Sequence, residues 1–522
     1  MILQWNCRGF YRNLEELKLL VNRYNPKIVC LQETNFREKD IPKLKGFRAY
    51  RRDFLLGNRA CGGVVIFVRN DIYCENDVSI LSDIQMIHLT VYIPTKITVC
   101  NIYLPPAIPV TKGELTRHIR ALPAPYVIVG DFNAHHTMWG STHVSPRGRM
   151  LEDILVKENI ALINKQEFTH FNSSNGSLSA IDLAFSSPSL LPLLDWTVHR
   201  DLCGSDHFPI MISCANQDAN LSVVPRWSLK RAQWEKFASM ANFRDQEFNN
   251  IDEEAEYITK VLVDAAETSI PKTSVTLKKT PAPWWNGECK NAIKNRKKAL
   301  RQFYNQASEE NLAKYKILRS KARRIIKESR KESWRQFVST ISQSTPSSEI
   351  WKKIKAIIGV RSTTQIPGLN INGSVKTEDL DKAELFAEAF AKVSGSDKYP
   401  NDFLSIKLEE ENQAIDFSEE GCNQNYNIPF KMWELERSLS KSKNTSPGPD
   451  NVHYKFLQNL TQQNKIYLLR FYNRIWSGRQ FPKAWSVAIT IPIAKEGKDK
   501  SMPESYRPIT LSSCLCKTLE RM

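Results

Sequence analysis

The chain has 522 residues and lacks the features of several protein classes. It contains no Cys-x-x-Cys pair, and its eleven cysteines and nine histidines are scattered, which argues against a zinc module or a disulfide framework. No run of about 18 apolar residues occurs, so no membrane-spanning helix is predicted. The first residues show no basic start followed by an apolar stretch, so a secretory signal is not expected. We therefore expect an intracellular protein with reduced thiols and no membrane partner.

Basic residues are in excess, and this excess is local. The chain has 73 Lys and Arg against 56 Asp and Glu, a net charge of +17. Residues 1–215 are nearly balanced, with 23 basic and 20 acidic side chains, whereas residues 290–335 carry 16 basic and 4 acidic ones. The second stretch lacks Gly and Pro and has apolar residues at helical spacing, which predicts one long helix or a helical pair.

The basic helical stretch is a candidate nucleic-acid contact. A solvated helix surface is the alternative, but the interleaved Tyr304, Tyr315 and Trp334 favour contact with a phosphate backbone. The run KNRKK at 294–298 could also act as a nuclear address, which would make the protein nuclear. The residues predicted to bind nucleic acid are Lys294, Arg296, Lys297, Lys298, Arg323 and Arg324.

The first 215 residues alternate short β-branched or aromatic runs with helical patterns. This alternation predicts an α/β fold in which a sheet core is covered by helices. Asn13 and Glu16 look like the cap and capping-box residues of the first helix, and Pro26 is expected to close it.

Polar residues follow or interrupt several of the predicted strands. In an α/β sandwich the strand ends are where ligands are approached. Carboxylates placed there suit Mg²⁺, and an Asp or a His can position or deprotonate an attacking water. Asp182 lies inside an apolar strand, where an unpaired carboxylate is costly, and His207 is its obvious candidate partner. The residues of this predicted site are Asn6, Glu33, Tyr103, Asp131, Asn133, Asp182, Asp206 and His207.

Six motifs between residues 4 and 210 carry a resemblance to a known family: QWNCRG, CLQET, NIYLPP, GDFNAHHTMWG, SAIDLAF and GSDHFPI. In this order they resemble the endonuclease/exonuclease/phosphatase superfamily. More narrowly, they resemble the apurinic-like endonuclease domain of LINE-type (non-LTR, jockey-like) retrotransposons. The resemblance implies a four-layered α/β sandwich and phosphodiester cleavage that depends on Mg²⁺, with Mn²⁺ as a possible substitute.

The resemblance also implies roles for five of the polar residues. Glu33 matches the metal-binding glutamate, and Asp206 matches the aspartate beside the metal. His207 matches the histidine that contacts the scissile phosphate, and Asp182 matches its hydrogen-bonded orienting partner. Asp131 matches the residue that activates or positions the nucleophilic water.

Three more residues match those that align the phosphate, the nucleophile and the metal site in the family: Asn6, Tyr103 and Asn133. Two positions depart from the repair enzymes of the superfamily, which usually have an acid where this chain has Arg8 and an Asn where it has Pro106. Both departures favour nicking of intact target DNA over cleavage at abasic sites. Arg8 either touches a backbone phosphate or is a plain surface arginine.

The second half resembles other parts of the same retroelement proteins. PWWN at 283–286 resembles the element found between their two enzymes, and SPGPD at 446–450 resembles the start of their reverse transcriptase. The resemblance predicts an endonuclease domain at 1–215, a basic and mostly helical linker at 216–426, and an incomplete reverse transcriptase fingers fragment at 427–522. The polymerase aspartate and Tyr-x-Asp-Asp loop of the family have no counterpart here, so polymerisation by this chain is not expected.

Three functions are consistent with these patterns. The leading one is a Mg²⁺-dependent endonuclease that nicks target DNA for target-primed reverse transcription, with DNA and element RNA as partners. The second is a silent remnant that only binds nucleic acid, and the third is a hydrolase of lipid or inositol phosphates. We also expect the fingers fragment to leave Trp485, Ile489, Ile491 and Ile493 unburied.

Overall fold

The computed structural model describes residues 1–57, 59–75, 84–93, 95–214, 225–273, 283–343, 345–358, 366–396, 399–413 and 428–522. The chain forms two compact units, and each is assembled from two separate stretches. Unit 1 comprises Met1–Asn220 and Lys279–Glu378, and unit 2 comprises Leu221–Lys278 and Asp379–Met522. Residues 216–426, expected as one linker, are therefore divided between the units. The predicted boundaries after residues 215 and 426 lie outside the described residues and stay a prediction.

Unit 1 contains the strands of the predicted nuclease. The strands are β1 (Ile2–Asn6), β2 (Ile28–Gln32), β3 (Phe47–Arg52), β4 (Leu55–Leu56), β5 (Arg59–Ala60), β6 (Val64–Arg69), β7 (Cys74–Glu75), β8 (Gln85–Tyr92), β9 (Lys96–Tyr103), β10 (Tyr126–Asp131), β11 (Ala161–Leu162), β12 (His170–Phe171), β13 (Leu178–Ser179), β14 (Asp182–Ser186), β15 (Leu194–Val198), β16 (Ile210–Cys214), β17 (Leu369–Ile371) and β18 (Ser374–Lys376). The helices are α1 (Phe10–Tyr24), α2 (Lys112–Arg120), α3 (Pro146–Lys157), α6 (Gly287–Asn305), α7 (Glu309–Ser339) and α8 (Ser347–Ile358).

Two six-stranded sheets form the centre of unit 1. The first has the order β15-β16-β1-β2-β6-β3, and the second has the order β11-β14-β10-β9-β8-β7. The parallel pairs β1/β2 and β9/β10 lie in the middle of their sheets, and antiparallel strands flank them. The carboxyl ends of β1, β2, β9 and β10 therefore bring Asn6, Gln32, Tyr103 and Asp131 to equivalent positions along their strands.

The two sheets pack face to face and are covered by helices on their outer sides. A cluster that includes Ile28, Val64, Val99 and Val127 lies between the sheets. The outer face of the first sheet packs against α1, and the outer face of the second sheet packs against α2 and α3. This is a helix–sheet–sheet–helix sandwich, which confirms the predicted α/β fold class with four layers.

The first helix begins earlier than the sequence predicts. Helix α1 starts at Phe10 after Gly9, which has a φ of 100°, and Asn13 lies buried inside the helix. The Nδ2 of Asn13 donates to the carbonyl of Cys7 at 2.7 Å, so this side chain fixes the turn after β1. The predicted cap at Asn13 is therefore wrong, because the side chain meets a tertiary partner that the local pattern does not contain.

Helices α6 and α7 fold with the two six-stranded sheets of unit 1. Ala299, Leu300 and Phe303 of α6 and Tyr315 of α7 are buried in one apolar cluster with Phe171 and Phe208 of the first stretch of unit 1. Ser308 caps α7 by accepting from the amide of Asn311 at 3.2 Å. The predicted helical pair is thus present, and one of its faces is part of the core of unit 1.

Unit 2 is mainly helical. Its core joins α4 (Trp234–Met240) and α5 (Ile251–Ser269) from the first stretch to the helices of the second stretch, through residues such as Phe237, Leu262, Leu435 and Phe471. The elements are α4 (Trp234–Met240), α5 (Ile251–Ser269), α9 (Asp379–Ser394), α10 (Asn401–Asn412), α11 (Met432–Lys441), α12 (Tyr454–Gln458), α13 (Gln462–Gly478), α14 (Cys514–Arg521) and the strands β19 (Ile489–Ala494) and β20 (Tyr506–Leu511).

Three of the four apolar residues predicted to stay unburied in the C-terminal part are exposed, and these three lie on β19. Ile489, Ile491 and Ile493 on β19 are between 39% and 46% exposed. Trp485 is buried against Phe471 and Phe481, so the expectation that it would stay unburied is wrong. Within the described ranges, no helix combines the length and the apolar character needed to cross a bilayer.

Candidate active site

Asn6 holds two carboxylates together at the carboxyl ends of the central strands. Its Nδ2 donates to Glu33 Oε1 at 3.0 Å and to Asp131 Oδ2 at 2.8 Å. The Tyr103 hydroxyl donates to the same Glu33 oxygen at 2.9 Å. One amide and one phenol thus orient Glu33, and burial together with this carboxylate raises the pKa of Tyr103, which keeps the phenol a donor.

Asp182 and His207 form the pair that the sequence predicts. The Nδ1 of His207 lies 2.8 Å from Asp182 Oδ2, and both side chains are buried. The other ring nitrogen, Nε2, lies 3.8 Å from Asp131 Oδ2. The imidazole is therefore fixed by Asp182 on one side, and its second nitrogen points toward Asp131. The Oδ1 of Asp182 is buried without a hydrogen-bond partner among the described residues.

The electrostatics of this group place two titrations near or above neutral pH. Burial raises the pKa of Asp131 to about 7, and the neighbouring carboxylates Asp182 and Glu33 act in the same direction. Burial disfavours a charged imidazole, but Asp182 and Asp131 outweigh it and raise the pKa of His207 to about 10. A cationic His207 beside a carboxylate that titrates near pH 7 suits proton transfer combined with stabilisation of negative charge.

Asp206 reaches the same region from the loop before β16. Its Oδ2 pairs with the Arg8 guanidinium, and its Oδ1 lies 3.3 Å from the Ser205 hydroxyl. That hydroxyl lies 2.7 Å from the carbonyl of Asn6. Ser205 therefore joins the loop of Asp206 and His207 to the end of β1, next to Glu33 and its partners.

Three residues around the site have left-handed backbone conformations that L side chains rarely adopt. Arg8, Glu33 and Asn133 have φ values of 46°, 48° and 47°. Each follows the end of a central strand. The backbone N–H of Asn133 donates to Asp131 Oδ1 at 3.1 Å, and its side-chain Nδ2 donates to the carbonyl of Leu104 at 3.1 Å. Such strain persists only where the surrounding structure holds it, and it clusters at functional sites.

The structure adds residues that the sequence analysis did not assign. The His170 ring lies 4.6 Å from the His207 ring, and burial with the nearby charge of His207 lowers the pKa of His170 to about 4. The Arg147 guanidinium donates to four backbone carbonyls around the loop that contains Asn133, two of them at 3.0 Å. Neither residue lies in one of the six motifs, and no strand-end pattern marks Arg147 or its partners.

A buried amide pair supports the site from between the sheets. Gln32 donates to Asn101 at 2.6 Å, and Asn101 donates to the carbonyls of Leu31 and Val65 at 3.0 Å. Both side chains are fully buried. Polar groups in a sheet interface are costly unless they are paired, so this network fixes the register of the two sheets directly below Glu33 and Tyr103.

The donor set fits a hard divalent cation. Glu33 is partly exposed and has one oxygen engaged with Asn6 and Tyr103, while Asp206 is a second carboxylate linked to Asn6 through Ser205. Oxygen ligands of this kind hold Mg²⁺ or Mn²⁺. Asp131, Asp182 and His207 also offer ligand atoms within 4.8 Å of one another. A cationic His207 has no lone pair free for a metal, however, so Glu33 and Asp206 are the better candidate ligands.

The predicted nucleic-acid contacts divide into accessible and inaccessible ones. Lys294, Lys297, Lys298 and Arg324 are at least partly exposed. Arg296 is 1% exposed and pairs with Glu16 Oε1 at 2.6 Å and with Asp201 Oδ2 at 2.7 Å. The prediction that it binds nucleic acid is wrong, because its charge is already neutralised inside the core.

Arg323 is half-buried and donates to the carbonyl of Gly204 at 3.0 Å. Unlike Arg296, it keeps contact with an open surface, since it also lines a groove beside the site. Its role as a nucleic-acid contact stays a prediction.

Comparison with known proteins finds similarity to one family model and to several solved structures. Residues 97–211 match the family model described as "Endonuclease-reverse transcriptase". Among solved structures, the endonuclease domain of TRAS1, a telomere-specific non-LTR retrotransposon, is 22% identical, with 42% of this chain and 99% of that chain covered and a TM-score of 0.36. An AP endonuclease from Archaeoglobus fulgidus is 16% identical, with 41% and 98% covered and a TM-score of 0.34.

Curated relatives match along the whole chain. A probable RNA-directed DNA polymerase from transposon X-element of Drosophila melanogaster is 25% identical over 542 residues, with 100% of this chain and 58% of the relative covered. The RNA-directed DNA polymerase from mobile element jockey of the same species is 24% identical, with 99% and 57% covered. The chain thus spans a little over half the length of these relatives. It is similar over nearly its whole length to the RNA-directed DNA polymerases of transposon X-element and mobile element jockey, and part of unit 1 matches the "Endonuclease-reverse transcriptase" family model.

Proposed function

We propose that unit 1 is a Mg²⁺-dependent endonuclease that nicks one strand of intact target DNA and leaves a 3′ hydroxyl to prime reverse transcription. The observation that carries this proposal is the connected group Glu33–Asn6–Asp131 beside the buried Asp182–His207 pair. Eight residues from distant parts of the chain converge there with their polar atoms oriented by hydrogen bonds. A remnant that only binds nucleic acid would have no need to keep this buried and costly set.

The chain's own residues divide the reaction between them. Asp131, with a pKa of about 7, accepts a proton from the attacking water while the water oxygen forms its bond to phosphorus. Cationic His207, held by Asp182, donates to a non-bridging phosphate oxygen and stabilises the charge that develops there. Asn6 and Tyr103 orient Glu33, and Glu33 with Asp206 would hold the metal. The bound Mg²⁺ would neutralise the departing 3′ oxygen and orient the phosphate.

One feature at the edge of the site supports intact DNA as the substrate. Arg8 stands where repair enzymes of the superfamily usually carry an acid, and it pairs with Asp206 at the edge of the site. A guanidinium at this position can contact a backbone phosphate of the target DNA. Element RNA as a further partner, a nuclear location, and a reverse transcriptase activity of the whole protein are proposals that rest on the homology alone.

The experiment is plasmid nicking by the purified full chain. Supercoiled plasmid is incubated with Mg²⁺ or with EDTA, and open-circle product is measured over time. We expect product only with Mg²⁺. We expect Glu33→Gln and His207→Ala each to lower the rate at least about 100-fold, since each removes a group that acts on the phosphate or its metal. Glu38→Gln is the matched control, because Glu38 has the same charge and is exposed away from the site.

Equal nicking by wild type and Glu33→Gln would refute the assignment of Glu33. Nicking that persists in EDTA would refute the metal requirement. Plasmid binding by wild type without nicking in Mg²⁺ or Mn²⁺ would favour the silent remnant, and turnover of a lipid phosphate instead of plasmid would favour the third hypothesis.

A further inference from the structure

A basic groove opens beside the candidate active site. One wall comes from α7, and the other comes from the loop after β1 and the start of α1. Its volume is about 310 Å³. The side chains that give it its character are Arg8, Arg12, Lys316, Arg319, Ser320 and Arg323, and we call this surface the α7 groove.

The charge of the α7 groove is not balanced by carboxylates in its walls. Among the described residues, none of those that line it is acidic. Burial lowers the pKa of Arg323, and the like charges of Arg12 and Arg319 lower it further, whereas Glu16 is the nearby group that opposes this. Arg12 and Lys316 are exposed, and neither forms an ion pair with a described residue. Cations held together in this way are stabilised by an anion placed between them.

The groove is built on fixed elements. Tyr315, Ala322 and Ile326 anchor α7 in the core of unit 1 by being almost completely buried. Arg319 donates to the carbonyls of Gly204 and Ser205 at 2.7 and 2.9 Å. The helix that presents Lys316 and Ser320 is therefore held against the loop that carries Asp206 and His207, and it is not a detached basic handle.

The groove meets the active site at Arg8. This residue lines the groove and pairs with Asp206, so the two surfaces share a side chain. Duplex DNA carries one charge per about 1.7 Å of helix axis, so phosphates close to the one being cleaved come within reach of the groove walls. Guanidinium, ammonium and hydroxyl groups on two facing walls are the usual contacts for such phosphates.

We propose that the α7 groove binds backbone phosphates of duplex target DNA next to the scissile bond, so that a helix outside the nuclease sheets completes the substrate-binding surface. This inference rests on the proposed endonuclease function of unit 1. It assigns Arg12 and Lys316 as DNA contacts, and neither was singled out by the sequence patterns. Single-stranded RNA is the competing occupant.

The test compares two double variants of the full chain with the same loss of charge. Arg12→Gln/Lys316→Gln removes one exposed cation from each wall of the groove. Lys314→Gln/Lys321→Gln removes two exposed cations of α7 that do not line it. Binding of a fluorescein-labelled 20-base-pair duplex is measured by anisotropy in EDTA across a salt series, so that no cleavage occurs. The same titration is repeated with a 20-nucleotide single-stranded RNA.

We expect the groove variant to bind the duplex about tenfold more weakly near 100 mM salt. We also expect the slope of log K against log salt to fall by about 1 to 2, or roughly 0.9 for each lost phosphate contact. The control variant should stay within about twofold of wild type. In the nicking assay the groove variant should raise KM, with the loss recovered at saturating DNA. Circular dichroism and urea denaturation of both variants confirm that folding is retained.

Equal weakening in both variants would overturn the proposal, since the effect would then be one of net charge. Loss of RNA binding with unchanged duplex binding would also overturn it and assign the groove to RNA. The binding assay does not need catalysis, so a wild-type chain that fails to nick plasmid refutes the proposed function while the duplex titration still decides whether the groove binds DNA.

Discussion

The buried charge of Arg296 gives the sharpest test of the finding that α6 and α7 belong to the nuclease unit. Its guanidinium joins Glu16 on α1 and Asp201 in the loop before β16. Replacing it by Ala leaves Asp201, which is 1% exposed, without its closest cation. Breaking a buried ion pair by removing one partner costs about 3–5 kcal/mol, a large share of the roughly 5–15 kcal/mol that stabilises a typical domain.

The pH dependence of this loss follows from the pKa of Asp201. Burial favours the neutral acid, but Arg296 and Lys297 hold the pKa of Asp201 below its usual range. The wild-type pair therefore stabilises the fold above the unfolded pKa of about 3.9, and this contribution is lost as pH falls through the folded value. In Arg296→Ala, the effect of burial on the pKa of Asp201 is no longer opposed by Arg296. The variant therefore carries the buried Asp201 charge at neutral pH, and the destabilisation that this charge causes disappears when Asp201 becomes protonated.

The expected result is a loss of about 3–5 kcal/mol at pH 7 that shrinks toward pH 4. Urea denaturation gives the magnitude, and hydrogen exchange of the amides of β1 and β2 reports on unit 1 specifically. Arg301→Ala, at an exposed position on the same helix, should change stability by no more than about 0.5 kcal/mol. A loss below about 1 kcal/mol for Arg296→Ala, or one that grows on acidification, would refute the reasoning.

Two further predictions concern the integrity of unit 1. A fragment of residues 1–215 loses the cover that α6 and α7 give to Phe171 and Phe208. It should therefore bind a hydrophobic dye and self-associate in size-exclusion chromatography. A monomeric fragment that unfolds as cooperatively as the full chain would contradict this. Gly130→Ala places a Cβ 2.0 Å from the carbonyl oxygen of Ile102 and should destabilise unit 1 by about 3 kcal/mol or more. Gly113→Ala, which meets open space on α2, is its control and should not lower the urea midpoint.

The parts of the site that the sequence predicts are those with a local signature. Asp131 and Asn133 follow an apolar strand directly, and Asp182 stands out as a carboxylate inside one, so their convergence follows from strand ends meeting at one edge of a sheet. The pairing of Asp182 with His207 follows from the cost of a lone buried charge. These inferences need only the periodicity of strands and a desolvation argument.

The parts that it does not predict depend on partners far away in the chain. A basic stretch predicts an exposed helix face, yet Arg296 is buried because Glu16 and Asp201 meet it from positions 280 and 95 residues away. Asn13 looks like a helix cap until the carbonyl of Cys7 is seen to engage it. In both cases the local sequence correctly predicts a polar side chain that forms hydrogen bonds or ion pairs. The partner it bonds to lies outside the local pattern, and only the folded structure identifies that partner.

The division of unit 1 into two stretches sets the order in which it can be completed during synthesis. The chain leaves the unit after Asn220 and returns at Lys279, so α6 and α7 emerge from the ribosome only after the first stretch of unit 2, Leu221–Lys278, has been made. Asp201 has no Arg296 to pair with until α6 has been made. The apolar cluster around Phe171 lacks part of its cover until α7, which ends at residue 339, has been made as well. Unit 1 therefore stays incomplete while α4 and α5 are synthesised, and its two six-stranded sheets gain the buried contacts with α6 and α7 only when these two basic helices return to them.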